Sequence, residues 1–285
     1  MSSRSAILVI NATRDEAVKA ATTLTSLLSA ADFLCSTASD VTINGLQKVA
    51  VEDLPEAEIV IVLGGDGTIL RGAEISSPRG IPLLGVNLGH VGFMAEVEKL
   101  SFDTVAASVI DKSYTIDPRM LLSYSVDRKG SEVTSGWALN EVTIARAEST
   151  MVELLVQVDH RPLSRWGCDG LIAATPTGST AYAFSAGGPI LWPNLDAVVL
   201  LPISAHALFA RPMVISPQSE IVVEIESAKA TLSADALREF SLAEGDRVHI
   251  TGGATDVLLA HVKQTLFTDR LVAKFKLPVE GWRGE

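Results

Sequence analysis

The hydrophobic pattern of this chain changes character near Asp117-Pro118. Upstream, Ala6 to Ile10 is a continuous apolar run. After a polar break, Val18, Ala21, Leu24 and Leu28 recur at helical spacing, which predicts a strand followed by a helix. The theme returns: Glu58 to Leu63 is a β-branched run ending in Gly-Gly-Asp-Gly, and Ile81 to Val86 ends beside Asn87-Leu88-Gly89. Strands that are apolar throughout and separated by helical stretches predict a parallel sheet covered on both faces. Downstream, Val152, Leu154, Val156 and Val158 recur with a period of two, as do Ile221, Val223 and Ile225. Short strands are also predicted at Arg247 to Ile250 and Val257 to Val262, so the second half reads as mostly β. Leu266 to Phe275 is helix-like and closed by Pro278. The expected fold is an α/β N-terminal domain with a Rossmann-like parallel sheet, followed by a β-rich C-terminal domain.

Composition adds limits. At 285 residues the chain is long for one core, which agrees with two domains, and 47% apolar with 20% charged residues is ordinary for folded proteins. The net charge of -11, from 34 acidic against 23 basic residues, gives a field that repels nucleic acid and anionic membranes, so neither is expected as a partner. A nucleotide would have to be held by backbone N–H groups, a few placed arginines or a divalent cation. Cys35 and Cys168 are far apart and suggest neither a disulfide framework nor a zinc site, which fits a reducing, cytoplasmic compartment. The opening MSSRSAILVI is too short an apolar stretch for a signal peptide, and Pro202 and His206 interrupt the apolar run from Ala197 to Ala210, so no membrane span is expected.

Three clusters carry candidate chemistry. Gly64-Gly65-Asp66-Gly67-Thr68 follows an apolar strand and precedes Ile69-Leu70-Arg71, which could open a helix. Glycines let backbone approach a phosphate closely, and Asp66 between them can act as a base toward a hydroxyl or help hold Mg²⁺. A tight turn with Asp66 as a helix cap would look the same. The chain lacks the Gly-Lys pair of a Walker A loop, and Leu70 stands where a GxGxxG fingerprint needs its third glycine. The second cluster is Gly167-Cys168-Asp169-Gly170, then Thr175 to Pro189, rich in hydroxyls and small residues, with Tyr182 available to pack on a ring. Ser179 lies outside any GxSxG elbow, which disfavours a serine hydrolase. The third is Asn140-Glu141, which opens an alternating strand and could bind a ribose diol, although two polar residues at a strand edge are the plainer reading.

In that order and separation, GGDGT at 64–68, Asn140-Glu141, Asp169-Gly170 and TPTGSTAY at 175–182 resemble the NAD kinase family. Gly89-His90-Val91-Gly92-Phe93 resembles the family's LGxLGF segment, and the ending FTDRLVAKFKLPVEGWRG is similar to the actinobacterial branch. The resemblance implies that Asp66 is the catalytic proton acceptor for the adenosine-ribose 2′-hydroxyl of NAD, within the phosphate loop Gly64, Gly65, Gly67 and Thr68. It implies that Arg71 contacts the nucleotide, that Asn140, Glu141 and Asp169 bind NAD, and that Thr180, Ala181, Tyr182, Ala183, Phe184 and Ser185 hold the dinucleotide. It further implies ATP or polyphosphate as donor, Mg²⁺ or another divalent cation, and a homodimer or homotetramer. The family pattern divides the chain into residues 1–118, with 266–285 returning, and residues 119–265.

The sequence departs from the pattern at several positions. Gly167 stands where many members carry Arg or Lys two residues before the aspartate, so weaker discrimination against NADH is expected. Ser233-Ala234-Asp235-Ala236 resembles an xxDG turn with alanine replacing a glycine that would be costly to replace, so no function is carried onto Asp235. His206, in a segment similar to PxxPH, reads as structural. A lipid or sugar kinase sharing the GGDGT loop, and a non-catalytic dinucleotide sensor, are the alternatives. The first would have no need of Asn140-Glu141 or TPTGSTAY, and the second no need of Asp66.

Overall fold

A computed structural model describes residues 4–89, 92–95, 100–227 and 229–279. The chain forms two compact units, Met1–Pro118 with Val257–Glu285, and Arg119–Asp256. The return to the first unit begins at Val257, inside a strand, rather than at 266. His90, Val91 and the tail beyond Val279 lie outside the described residues.

The first unit contains β1 (Arg4–Ile10), α1 (Asp15–Ser29), β2 (Phe33–Thr37), β3 (Leu46–Lys48), β4 (Ile59–Leu63), α2 (Asp66–Ser76), β5 (Leu83–Val86) and α3 (Phe102–Asp111). The second contains β7 (Ser131–Ala138), β8 (Glu141–Arg146), β9 (Val152–Val158), β10 (Arg161–Cys168), β11 (Gly170–Ala174), the short α4 (Tyr182–Ser185), β12 (Val198–Ile203), β13 (Met213–Ile215), β14 (Ile221–Ile225), β15 (Ala230–Ala234) and β16 (Arg238–Leu242). Two long strands cross the division, β6 (Thr115–Arg128) and β17 (Arg247–His261), and α5 (Phe267–Phe275) closes the first unit.

In the first unit β3, β2, β1, β4, β5 and the end of β17 form a parallel sheet, with Leu259 and Ala260 opposite Leu83 and Leu84. β4 is buried at every residue because helices cover both of its faces, which is why its sequence shows no alternation. α1 and α3 share a core with the sheet through Leu24, Leu28, Val105 and Val109. α2 lies close on the sheet at Gly72, where a Cβ would meet Val62 Cγ2 at 2.5 Å and Leu83 Cδ1 at 2.8 Å. The loops after β4 and β5 therefore open at the carboxyl ends of adjacent parallel strands, the position where open α/β sheets bind ligands.

The second unit packs two antiparallel sheets. One runs β10-β9-β14-β17 and continues through β6 to β7, and the other runs β13-β12-β11-β8-β15-β16. Their inward residues, among them Val142, Ile144, Leu154, Val156, Trp166, Leu171, Val223 and Val248, form one core. Arg247 to His261 is one continuous strand, where the sequence reading expected two. The intervening Gly252-Gly253 pair does not break the ladder. It admits neighbouring chain, since a Cβ at Gly252 would lie 2.8 Å from the Pro217 carbonyl oxygen and one at Gly253 3.1 Å from Leu121 Cβ.

Candidate active site

Leu63 ends β4, Gly65 serves as the N-cap of α2, and Asp66 is the first helical residue. Asp66 thus does not cap the helix. Its carboxylate turns to the neighbouring loop, accepting the N–H of Phe93 on Oδ2 at 3.2 Å and that of Met94 on Oδ1 at 3.4 Å. The side chain is half-buried, with its flanking glycines exposed.

The four loop glycines are required for different reasons. A Cβ at Gly64 would strike Thr68 Oγ1 at 2.3 Å, and one at Gly92 would strike Asp66 Oδ1 at 2.4 Å, so internal packing demands both. No atom lies within 4 Å of a Cβ placed at Gly65 or Gly67. Packing does not explain those two; an open glycine face at a helix N-terminus suits the approach of an anion such as phosphate. Arg71 is exposed on α2, and Thr68 is buried beneath the loop.

The second unit gathers another set. Asn140 and Glu141 are 8% and 7% exposed; Glu141 is the first residue of β8, a central strand between β11 and β15, and Asn140 is in the bend just before it, so they belong to a buried strand start and not to an exposed sheet edge. Thr175 ties the turn after β11 to them: its N–H donates to the Asn140 carbonyl at 2.8 Å, its hydroxyl donates to the Leu139 carbonyl at 2.5 Å, and that hydroxyl accepts the Gly178 N–H at 3.0 Å. A Cβ at Gly178 would fall 2.0 Å from the Asn140 carbonyl oxygen, so this close approach is open to glycine alone. Ser179 is fully buried, donating to the Pro176 carbonyl at 2.6 Å and accepting from Leu191 N–H at 2.9 Å. Thr180 donates to the Thr177 carbonyl at 3.1 Å, and Ala181 precedes α4. Along α4, Ala183 is buried whereas Tyr182, Phe184 and Ser185 are exposed.

Glu141 has an unusual position. The backbone N–H of Tyr182 reaches its carboxyl, but Oε2 is buried without a partner among the described residues. Burial, reinforced by the negative charge of Asp235, pushes it up to about 7, against the opposing pull of the Tyr182 N–H. A buried acceptor with no protein donor fits a ligand hydroxyl.

The turn set aside in the sequence supplies the support. Asp235 and Ala236 both adopt left-handed backbone, each with φ 54, and Leu237 N–H closes the turn onto the Ala234 carbonyl at 3.0 Å. The turn is kept, and alanine adopts the strained conformation in place of glycine. Asp235 is 4% exposed and accepts the N–H groups of Leu139 at 2.8 Å, Asn140 at 2.7 Å and Glu141 at 3.3 Å. Burial raises its pKa, opposed by those N–H groups and by Arg238 at 3.5 Å, whose guanidinium lies 4.4 Å from the Trp137 ring centroid. Asp235 is therefore the residue that shapes the Asn140-Glu141 segment. Its only sequence signal was the turn it shares with its neighbours. Ala236→Gly should relieve about 1 kcal/mol of left-handed strain, less a partial loss to unfolded-chain entropy. A raised Tm is the expected result, and a lowered one would show that the Ala236 methyl is packed.

Asp169 stands apart from this set. It sits before β11, at the end where Gly170 pairs with Ala145, whereas Glu141 pairs with Ala174 at the other end. Five residues of strand at ~3.3 Å each separate them by roughly 16 Å. Asp169 instead pairs with Arg146 at 2.8 Å. Gly167 is bridged to His206, whose N–H donates to the Gly167 carbonyl at 2.9 Å and whose side chain is exposed.

Among the described residues, no three His, Cys, Asp or Glu side chains gather in a way that could hold a metal ion, and no helix is long and apolar enough to cross a membrane. Both cysteines are buried and free.

Comparison with known proteins adds the family. Residues 6–114 match the family model described as ATP-NAD kinase N-terminal domain, and residues 139–262 match ATP-NAD kinase C-terminal domain. An NAD kinase of Thermobifida fusca is 50% identical over 234 residues, covering 80% of this chain and 72% of that protein. One of Mycobacterium tuberculosis is 43% identical over 306 residues, covering 99% of each. Among solved structures, an NAD kinase from Archaeoglobus fulgidus in complex with ATP superposes with a TM-score of 0.74 at 26% identity, over 96% of this chain and 98% of that one. Yeast NADH kinase complexed with NADH gives 0.87 at 23% identity, over 98% and 89%, a likeness of fold. By both halves of its sequence, this chain belongs to the NAD kinase family.

Proposed function

We propose that this chain, as an NAD kinase, transfers the γ-phosphoryl group of ATP to the 2′-hydroxyl of the adenosine ribose of NAD, with Asp66 as the proton acceptor. The observation that carries the assignment is the Asp66 carboxylate, oriented by two backbone N–H groups at the mouth of an exposed glycine loop. Phosphoryl transfer is mainly a matter of positioning and charge neutralisation, and it needs little else from the protein. Gly64, Gly65, Gly67 and Thr68 form the phosphate loop, and Arg71 supplies a cation to the nucleotide.

In the second unit, Asn140 and Glu141 bind a ribose diol of NAD. Thr180 to Ser185 hold the rest of the dinucleotide, with the exposed Tyr182 ring available for stacking. Asp169 meets a part of the dinucleotide distant from the one at Glu141. A divalent cation would be held by phosphate oxygens and water, with Asp66 available to help hold it. When bound, that cation neutralises charge on the transferring group. A cytoplasmic homo-oligomer is the working assembly, in keeping with two buried free thiols and an acidic surface.

The direct test is incubation of purified protein with Mg²⁺, NAD and either ATP or polyphosphate, with NADP quantified. ATP-dependent NADP formation is expected. Binding of NAD without turnover would mark a sensor, and phosphorylation of a lipid or sugar in its place would mark the other alternative.

Gly167 bears on the choice between NAD and NADH. A Cβ there would have only Met151 Cε nearby, at 3.9 Å, so the position has room for a larger side chain. NADH is expected to compete as an acceptor, and Gly167→Arg to shift the kcat/KM ratio between NADH and NAD while the protein still folds. Strong rejection of NADH by the natural sequence in a mixed-substrate assay would rule this out.

A further inference from the structure

Asp66 is oriented by a loop that is itself held from the far end of the sequence. The carbonyls of Phe93 and Ala95 both accept from Nη1 of Arg270 on α5, the former at 3.3 Å, across 177 and 175 residues of chain. The peptide between Phe93 and Met94 is a planar unit whose C=O and N–H point in opposite directions. Arg270 grips its oxygen edge while Asp66 takes its N–H edge. Rotation of that peptide would break both contacts together.

The same helix clasps the Phe93 ring. Phe267 and Phe275 lie 6.1 and 5.7 Å from it, centroid to centroid, and the Lys274 ammonium is 6.0 Å from its centre. Arg270 is 3% exposed, and its guanidinium meets these backbone carbonyls out of contact with water. Its other terminal nitrogen lies 3.3 Å from His261 Nδ1. Arginine can only donate, so Nδ1 accepts and the ring proton sits on Nε2, which faces Asp117 Oδ2 at 3.5 Å.

We propose that Arg270 is a positioning residue for phosphoryl transfer. By holding the Phe93 carbonyl it sets the direction of the Met94 N–H on the same peptide, and by holding the Ala95 carbonyl it anchors the loop that presents both N–H groups to the Asp66 carboxylate. The inference rests on the reading of Asp66 as the proton acceptor. Arg270 itself meets neither substrate.

Arg270→Lys in the full-length protein keeps the buried cation but loses the planar fork. It should lower kcat by roughly 10–100-fold, the scale of an ångström-sized misplacement. KM for NAD and for ATP should stay within about twofold, since binding is not the function removed. The decisive measurement is the same substitution in an Asp66→Asn background. If Arg270 acts through Asp66, the second change there costs no more than about twofold, because coupled residues are not additive. Arg270→Ala gives a separate readout: turnover, assayed well below the Tm of that variant, should be partly restored by added methylguanidinium. The proposal is overturned if folded Arg270→Lys protein turns over normally, or if its loss multiplies in full with that of Asp66→Asn. The reading of Asp66 stands or falls on Asp66→Asn alone, so the two failures are distinguishable.

Discussion

Asp66→Asn is expected to lower kcat by roughly 10²–10⁴-fold, the contribution of a positioned general base. KM for NAD should change by no more than about threefold, the pattern of an interaction made in the transition state. The amide is nearly the same size as the carboxylate, and its single carbonyl oxygen can still accept one of the two N–H groups now donated by Phe93 and Met94. The other is left facing an NH₂, so a stability loss of about 1 kcal/mol accompanies the change. That loss is too small to explain the turnover. A companion variant separates charge from aim: Gly92→Ala keeps the carboxylate but inserts a methyl 2.4 Å from Oδ1, forcing it or the loop aside. Turnover should fall in Gly92→Ala as well. Full activity in Asp66→Asn would remove Asp66 from the reaction.

The second large effect concerns pH. Glu141 ionises at about 7 in the folded protein against an ordinary value of 4.5, because it is buried beside Asp235. Between those values the folded state binds more protons than the unfolded one, so stability falls as pH rises through the window, and the penalty is complete above about 7. Its size is of order 3 kcal/mol at most. Glu141→Gln, which never ionises, should remove that slope: its ligand-free Tm should exceed that of the natural protein at pH 8 and approach it near pH 4.5. Asp235, also raised by burial, leaves a residual slope of the same sign. The gain in stability should come with a loss of affinity. An amide oxygen is a weaker acceptor for sugar hydroxyls than a carboxylate, and a difference of about 1–1.5 kcal/mol corresponds to a KM for NAD raised roughly 5–10-fold. Parallel pH–Tm curves for the two proteins would show that Glu141 is ionised in solution and that its surroundings are wetter than its burial indicates.

Local pattern was sufficient for most of the architecture. β4 and β5 were legible because strands covered on both faces must be apolar at every residue, and β9 because a half-buried strand alternates; β14 showed the same period in Ile221, Val223 and Ile225, although Val222 between them is buried as well. The helix-like stretch from Leu266 to Phe275 is α5, Phe267–Phe275. The glycine pair in β17 misled, because glycine in a strand can mean either an ending or a neighbour pressed close, and only the position of Pro217 and Leu121 distinguishes the two.

The sequence by itself determined which residue types stand ready for chemistry: a carboxylate among glycines at the end of an apolar strand, an Asn-Glu pair, and a hydroxyl-rich turn. Their order and spacing sufficed to identify the family. Only the tertiary structure decided what holds them. Asp235 reaches the backbone of Leu139 to Glu141 from 94 to 96 residues away, and Arg270 reaches the loop that aims Asp66 from 175 and 177. Both act on backbone N–H and C=O groups, which every residue carries and which leave no mark in the sequence of the segment being held. Asp169 was grouped with Glu141 by motif, but the register of β11 against β8 put them at opposite ends of a strand. A side chain that works on a peptide group is legible only once the chain has folded around it.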